Sequence, residues 1–166
     1  MAIEIVTLEP EHLMKLIENA PPIEHFVRGL RPEPVSTVFA TDKLASAYFS
    51  PGSVAHCLLN DGVPVFAGGI VNLQWHRGEA WIWTTQFFRD HVKTCFGIIR
   101  KMLPRMATEN GFIRVQAVAS EGICTSLFEH LEFVYEGTLK HFGPFGETCR
   151  LYARFFEEVG KHAATD

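Results

Sequence analysis

The chain has 166 residues, of which 15 are Lys or Arg and 19 are Asp or Glu, so its formal net charge is −4. This length suits one domain whose core needs no disulfide or metal. A hydrophobic fraction of 47% and a charged fraction of 20% exclude a disordered chain, a collagen and a coiled coil. The lack of excess positive charge argues against a nucleic-acid partner. The 14 Phe predict an aromatic core, an apolar cleft, or both.

The N-terminal sequence and the cysteine positions bear on where the protein works. Residues 1–12 lack a basic segment followed by an apolar one, so we expect no signal peptide. The apolar run 63–71 is too short to cross a bilayer, so we expect no membrane partner. The cysteines, at positions 57, 95, 124 and 149, match neither zinc spacing nor a small secreted disulfide framework. We therefore expect a cytoplasmic protein with free thiols, a single domain over 1–160 and a polar tail at 161–166.

Hydrophobic periodicity and turn residues predict the elements of the first half. A strand over 3–7 precedes a helix that begins near Pro10. The Pro-rich stretch 21–34 is expected to be a connection around a short helix at about 23–30, and a second main helix is expected over 41–49. Asp61-Gly62 between the apolar runs 54–59 and 63–73 predicts a β-hairpin, because both residues tolerate positive φ. A turn at His76-Arg77-Gly78 leads into a strand over 79–85, whose alternation puts Glu79 on the face of Trp81 and Trp83.

The second half begins with a change of period. Apolar residues at spacings of four and three over 90–110 predict an amphipathic helix, which Asn110-Gly111 ends. A strand over 113–118, a short helix after Ser120, and strands over 133–140 and 148–155 complete the chain. The order β-α-α-β-β-β-α-β-α-β-β predicts an α+β fold with a central, largely antiparallel mixed sheet flanked by helices.

This order, in a chain of this length, resembles the GNAT acyltransferase fold. Locally, 111–115 (Gly-Phe-Ile-Arg-Val) is similar to the start of the family's fifth strand, and 126–137 is similar to the family segment x-L-Y-x-x-x-G-F-x-x-x-G. The resemblance covers about 53–155 and looks most like the divergent GNAT-like proteins encoded by tailed phages. It implies acetyl-CoA as cofactor. It also implies that the fourth and fifth strands splay apart, with backbone around Thr84 and Thr85 holding the pantetheine arm.

The resemblance further implies a pyrophosphate site at the start of the next helix, where free N–H groups and the helix dipole favour anions. The family's loop there is Gln or Arg, two residues, Gly, one residue, then Gly or Ala. The matching window is Arg89-Asp90-His91-Val92-Lys93-Thr94. Arg89 fits, whereas Val92 and Thr94 replace the small residues. Val resists positive φ, and its bulk holds backbone away from a phosphate. Charges on Arg89, His91 and Lys93 would partly compensate.

The implied chemistry needs a base to deprotonate an amine and often an acid to reprotonate the leaving thiolate. By the resemblance, Glu79 is the candidate base, and an ordinary strand-end carboxylate is the alternative interpretation. The family's acid Tyr corresponds to Phe128, which has no proton to give. Tyr135, Tyr152 or a water molecule could donate instead.

Further candidate residues lie in an expected hairpin tip, on the second strand and among the histidines. Phe142 and Phe145 lie in an expected hairpin tip, which either lines an acceptor site or docks a protein partner or a second copy of the chain. His56 and Cys57 are neighbours on a strand and point to opposite faces, so they are not expected to form a nucleophile pair. The histidine spacings specify no metal site.

Two function hypotheses stay open. The first is a GNAT-type N-acyltransferase that moves acetyl from acetyl-CoA to a small-molecule or protein amine, with Glu79 as base. The second is a noncatalytic GNAT-like binding or assembly protein, associated with a virion if phage-encoded. The replaced loop glycines and the missing acid Tyr favour the second, while the order of elements and Arg89 favour the first.

Overall fold

The computed structural model describes residues 2–19, 45–121, 125–143 and 145–157. Within those ranges, seven strands form one sheet: β1 (Ile3–Thr7), β2 (Val54–Asn60), β3 (Val63–Gln74), β4 (Arg77–Thr84), β5 (Arg114–Ser120), β6 (Val134–Leu139) and β7 (Cys149–Phe155). The helices with both ends described are α1 (Pro10–Asn19), α2 (Gln86–Asp90), α3 (Val92–Glu109) and α4 (Thr125–His130). The helix predicted at 23–30, Cys124 and the tail at 161–166 lie outside the described residues.

The sheet has the strand order β1-β2-β3-β4-β5-β7-β6, and β4–β5 is its parallel pair among antiparallel ones. Helices pack on it, so the predicted α+β architecture with a largely antiparallel mixed sheet is confirmed. The β2–β3 hairpin turns at Asp61 (φ 49°) and Gly62 (φ 81°), as their tolerance of positive φ predicted. In the described part of the chain, no helix combines the length and apolarity needed to cross a bilayer.

The turn between β3 and β4 differs from its predicted position. Positive φ falls at Trp75 (34°) and His76 (59°), and Arg77 and Gly78 already belong to β4. Gly78 is a packing glycine, because a Cβ there would lie 2.2 Å from Ile70 Cγ2. The glycine that indicated a turn in the sequence is therefore needed for the close approach of Gly78 to the Ile70 side chain.

The two faces of the sheet bury different clusters. One cluster packs beneath α3 and contains four of the phenylalanines, Phe66, Phe88, Phe112 and Phe133. The other packs beneath α1 around the two β4 tryptophans and the α1 leucines. Trp83 is fully buried there, and its Nε1 donates a hydrogen bond to the Leu16 carbonyl at 3.2 Å. The excess of Phe thus supplies much of the α3-side core, which confirms the aromatic-core half of the composition argument.

The parallel pair β4–β5 is short. Its register contains Arg77 with Arg114, Gly78 with Val115, and Glu79 with Gln116, and no later residue of either strand. After Glu79 and Gln116, β4 and β5 are no longer paired with each other. β5 is paired with β7 over its whole length, and β4 is paired with β3 up to Thr84. The two halves of the sheet therefore separate in a V that opens after Glu79.

Candidate functional site

The V between β4 and β5 opens into a cavity of about 570 Å³. Both strands line it, β4 from Glu79 onward and β5 from Val118 to Ser120. Much of the rest of the wall is aromatic, contributed by Phe66, Phe88, Phe128, Phe133 and Phe142. The phenylalanines thus build a cleft as well as a core, the other half of the composition argument. A concave, largely apolar cavity with a few polar groups is the usual form of a small-molecule site.

Glu79 lies at the apex of the V, in the last residue pair before the strands part. It is half-buried and lines the cavity. Its register partner Gln116 projects from the same face of the sheet, and Gln116 Nε2 donates a hydrogen bond to Glu79 Oε2 at 2.9 Å. This bond restrains a carboxylate that the family resemblance had marked as the candidate base.

Thr84 and Thr85, at the end of β4, are both buried. Thr84 lines the cavity. Thr85 is the residue before α2, and its hydroxyl donates to the Val65 carbonyl at 2.7 Å. That bond holds the Thr85 side chain against β3, so Thr85 supports the end of the strand and is not part of the cavity wall.

The window 89–94 forms a bend between two helices. α2 ends at Asp90, His91 has φ −122° and ψ 33°, and α3 begins at Val92. The first helical bond of α3 runs from the Cys95 amide to the His91 carbonyl at 3.0 Å. The amides of Val92, Lys93 and Thr94 accordingly precede the first bonded turn and have no acceptor within the helix. The helix start that the resemblance implied is present.

The backbone of this window bears on the replaced glycines. None of its residues has positive φ, so the conformational objection to Val92 does not hold. The Val92 side chain is 46% exposed in the first turn of α3. Its bulk would still crowd a phosphate that approaches the free amides of that turn. Arg89 is exposed and lines the cavity. His91 stacks on Phe87 with ring centroids 4.2 Å apart.

The structure therefore divides the predicted site residues into two groups. Glu79, Thr84 and Arg89 line one cavity. The residues outside its wall are Thr85, His91, Val92, Lys93 and Thr94, the last three of them exposed at the start of α3.

Phe128 lines the cavity at the position where the resembled family has its acid Tyr. Its ring stacks on Tyr152 with centroids 4.7 Å apart. Tyr152 is buried behind it, and Tyr135 is half-exposed with its hydroxyl 2.6 Å from Thr138 Oγ1. Neither tyrosine belongs to the cavity wall.

Three polar residues of the site were missed at the level of sequence. They are Gln116, Ser120 and Cys149. The β4–β5 register pairs Gln116 with Glu79, and the β5–β7 register pairs Ser120 with Cys149. Ser120 and Cys149 line the cavity. Burial, followed by the charge of Glu147, raises the pKa of the Cys149 thiol, so this thiol is neutral at physiological pH. Cys57, Cys95 and Cys149 are free and buried, as expected.

The predicted hairpin tip is asymmetric. Phe142 is 60% exposed and also lines the cavity, whereas Phe145 is 51% exposed and lies outside it. One aromatic residue of the tip thus lines the cleft and the other does not.

Comparison with known proteins gives the class of fold. No family model and no curated protein sequence matches the chain. Solved structures do match it. A GNAT-family acetyltransferase from Streptococcus pneumoniae has a TM-score of 0.72 at 14% identity, covering 94% of this chain and 100% of that one.

Two further structures agree with the first. An N-acetyltransferase from Staphylococcus aureus Mu50 has a TM-score of 0.74 at 13% identity, with 93% and 99% of the two chains covered. A ribosomal L7/L12 alpha-N-protein acetyltransferase, solved in complex with coenzyme A, has a TM-score of 0.72 at 12% identity, with 93% and 94% covered. The chain therefore has the GNAT fold.

Proposed function

We propose that this protein is a GNAT-type N-acyltransferase that transfers acetyl, or another acyl group, from a coenzyme A thioester to an amine. The observation that carries the proposal is the V between β4 and β5, which opens at a hydrogen-bonded carboxylate and leads into the cavity. The similarity of the fold to solved acetyltransferases supports it.

The residues at the start of α3 suit an anionic nucleotide. The amides of Val92, Lys93 and Thr94 lack helical acceptors, and the helix dipole adds partial positive charge there. Arg89 adds a full charge where the cavity meets α2. We assign the pyrophosphate to this helix start and the pantetheine arm to the V beside Thr84. The thioester would supply an activated acyl carbon.

Glu79 is the proposed base. In the balanced reaction an N–C bond forms while the C–S bond breaks, and one amine proton passes to the Glu79 carboxylate. The sulfur keeps the electron pair of the broken bond and takes a proton from solvent. Phe128 cannot donate that proton, and the neutral donors on the described cavity wall include Ser120 and Cys149.

Binding is the first test. Acetyl-CoA is titrated by calorimetry and by thermal denaturation; at 100 times its dissociation constant it should stabilise the protein by about 2.7 kcal/mol. For a chain of this length that is a rise in Tm of roughly 5–10 °C. Arg89→Ala should weaken binding, whereas Arg100→Ala, which removes an exposed arginine further along α3, should not. No binding of coenzyme A or of any of its acyl thioesters at millimolar concentration would end the proposal.

Turnover is the second test. Release of coenzyme A thiol is followed with a thiol reagent over a panel of primary amines and peptides with free N-termini. Glu79→Gln should lower turnover by about 100-fold or more and leave acetyl-CoA binding intact. Glu4→Gln on β1, where the residue is exposed, is the matched control. Unchanged turnover in the Glu79 variant would remove it as base.

Binding of acetyl-CoA without turnover of any amine would favour the noncatalytic module, the hypothesis that the Phe at position 128 supports. The cytoplasmic location, the phage-like origin and pairing with a partner or second copy through Phe142 and Phe145 stay predictions.

A further inference from the structure

The cavity continues beyond the V, across the sheet and beneath α3. The registers pair Ile82 of β4 with Gly68 of β3, and Gly68 with His56 of β2. All three residues line the cavity. The α3 residues that roof the same cavity are Ile99, Met102, Leu103 and Met106. A channel therefore leads sideways from the V to the second strand.

Gly68 and Phe66 form the floor of this channel. Gly68 carries no side chain, and its neighbours on the same face of β3, Phe66 and Ile70, are large and buried. A Cβ at position 68 would lie 3.1 Å from Phe66 Cζ and 3.3 Å from the Trp81 carbonyl oxygen, so the Phe66 ring leans over Gly68 and takes the place of a side chain there. The row from Ile82 to His56 spans two interstrand spacings, roughly 10 Å. This length is comparable with that of an extended octanoyl chain.

The channel begins at the V and ends at a polar stop. Ala80 and Ile82 follow Glu79 on β4 and face the α3-side cluster, whereas the Glu79 side chain projects from the opposite face of the sheet. The mouth of the channel therefore communicates with Glu79 through the V, where β4 and β5 part. At the far end His56 Nδ1 lies 3.3 Å from Met106 Sδ. Between these ends the wall is apolar, made of the Phe66 ring, the backbone of Gly68 and the aliphatic and thioether side chains of α3.

An acetyl group would leave such a channel empty. Protein interiors are packed closely, and an apolar void forfeits contacts on all its walls. An unbranched chain, by contrast, gains affinity with each methylene that it buries. We propose, resting on the acyltransferase function above, that the acyl donor is a medium-chain acyl-CoA of about the octanoyl class, whose chain lies under α3 with His56 and Met106 as its stop.

Dissociation constants measured by calorimetry test the chain length. The probes are free coenzyme A and its acetyl, butyryl, octanoyl and dodecanoyl thioesters. Octanoyl-CoA carries six methylenes more than acetyl-CoA, and each fully buried methylene should tighten binding about fourfold. Burial of only half of them would already make octanoyl-CoA bind at least about 50-fold more tightly than acetyl-CoA. Dodecanoyl-CoA, which exceeds the channel, should gain nothing further. Equal affinities for acetyl-CoA and octanoyl-CoA would overturn the inference and leave the acyltransferase proposal standing, whereas binding of none of the probes would remove both.

Variants test the location of the chain. Met102→Trp narrows the channel from α3 and should weaken octanoyl-CoA at least about tenfold more than acetyl-CoA. Met14→Trp on α1 makes the same substitution at a partly buried position outside the cavity. It should leave the ratio of the dissociation constants of acetyl-CoA and octanoyl-CoA unchanged. If Met102→Trp does not fold, His56→Ala is the test variant. Loss of the His56 side chain should lengthen the channel and raise the affinity for dodecanoyl-CoA relative to octanoyl-CoA. Unchanged ratios in the folded variants would overturn the inference.

Discussion

Replacing Trp83 by Phe should destabilise the fold while keeping an aromatic ring on β4. Trp83 is fully buried, and its indole N–H donates to the carbonyl of Leu16 in the last turn of α1. Loss of this donor leaves the carbonyl without that partner, at a cost of about 1–3 kcal/mol. The smaller ring also leaves a void that costs about 1 kcal/mol. We expect Trp83→Phe to lower the free energy of unfolding by about 2–4 kcal/mol.

Urea denaturation followed by circular dichroism measures this effect. With an m-value of roughly 2 kcal/mol per molar urea, the midpoint should fall by about 1–2 M. Trp75→Phe is the matched control, because Trp75 is 82% exposed in the β3–β4 turn and its replacement should change stability by less than about 0.5 kcal/mol. Equal midpoints for the two variants would refute the reasoning that the Trp83–Leu16 bond joins α1 to the sheet.

Three further predictions concern the site and the sheet. Gln116→Leu removes the hydrogen bond to Glu79 and should lower kcat about tenfold with a smaller change in acyl-CoA affinity; a larger effect on affinity would contradict a role in positioning the base. Burial lowers the pKa of His56, with Glu109 opposing and Arg105 adding to the shift. The folded state therefore takes up this proton less readily than the unfolded chain, and the free energy of unfolding should fall as the pH drops below about 6.5. His56→Gln should lose less stability than the native protein between about pH 7.5 and pH 5, measured in urea, and parallel losses would speak against His56 as the source. Gly69→Ala should destabilise by about 2 kcal/mol or more, because its Cβ would lie 2.4 Å from the Val54 carbonyl oxygen. Gly97→Ala, in α3 with nothing within 4 Å, should instead stabilise by about 1 kcal/mol in the same denaturation assay.

Much of the fold was predictable because its signals are local. The hairpin at Asp61-Gly62 follows from the φ preferences of two residues, and α3 follows from an apolar stripe of helical period. The turn before β4 was misplaced because a glycine looks the same in sequence whether it serves a positive φ or a close approach. Gly78 serves the approach to Ile70, which only the packing of two strands reveals.

The site was less predictable than the fold. The family resemblance identified Glu79, Thr84 and Arg89, and all three line the cavity. It did not identify Gln116, because the bond to Glu79 depends on a parallel register between strands far apart in the chain. Nor did it separate Phe142, which lines the cleft, from Phe145, which does not.

The 14 Phe illustrate which features the sequence determines by itself and which depend on tertiary structure. Composition by itself determined that an apolar core, a cleft or both must exist, since 14 Phe side chains have no polar group to present to water. Periodicity determined the elements that carry them. The tertiary structure decided that Phe66 and Phe128 border an open cavity, because β4 and β5 separate after Glu79 and leave space that paired strands would otherwise fill. That space is a property of contacts distant in sequence, and no local pattern encodes it.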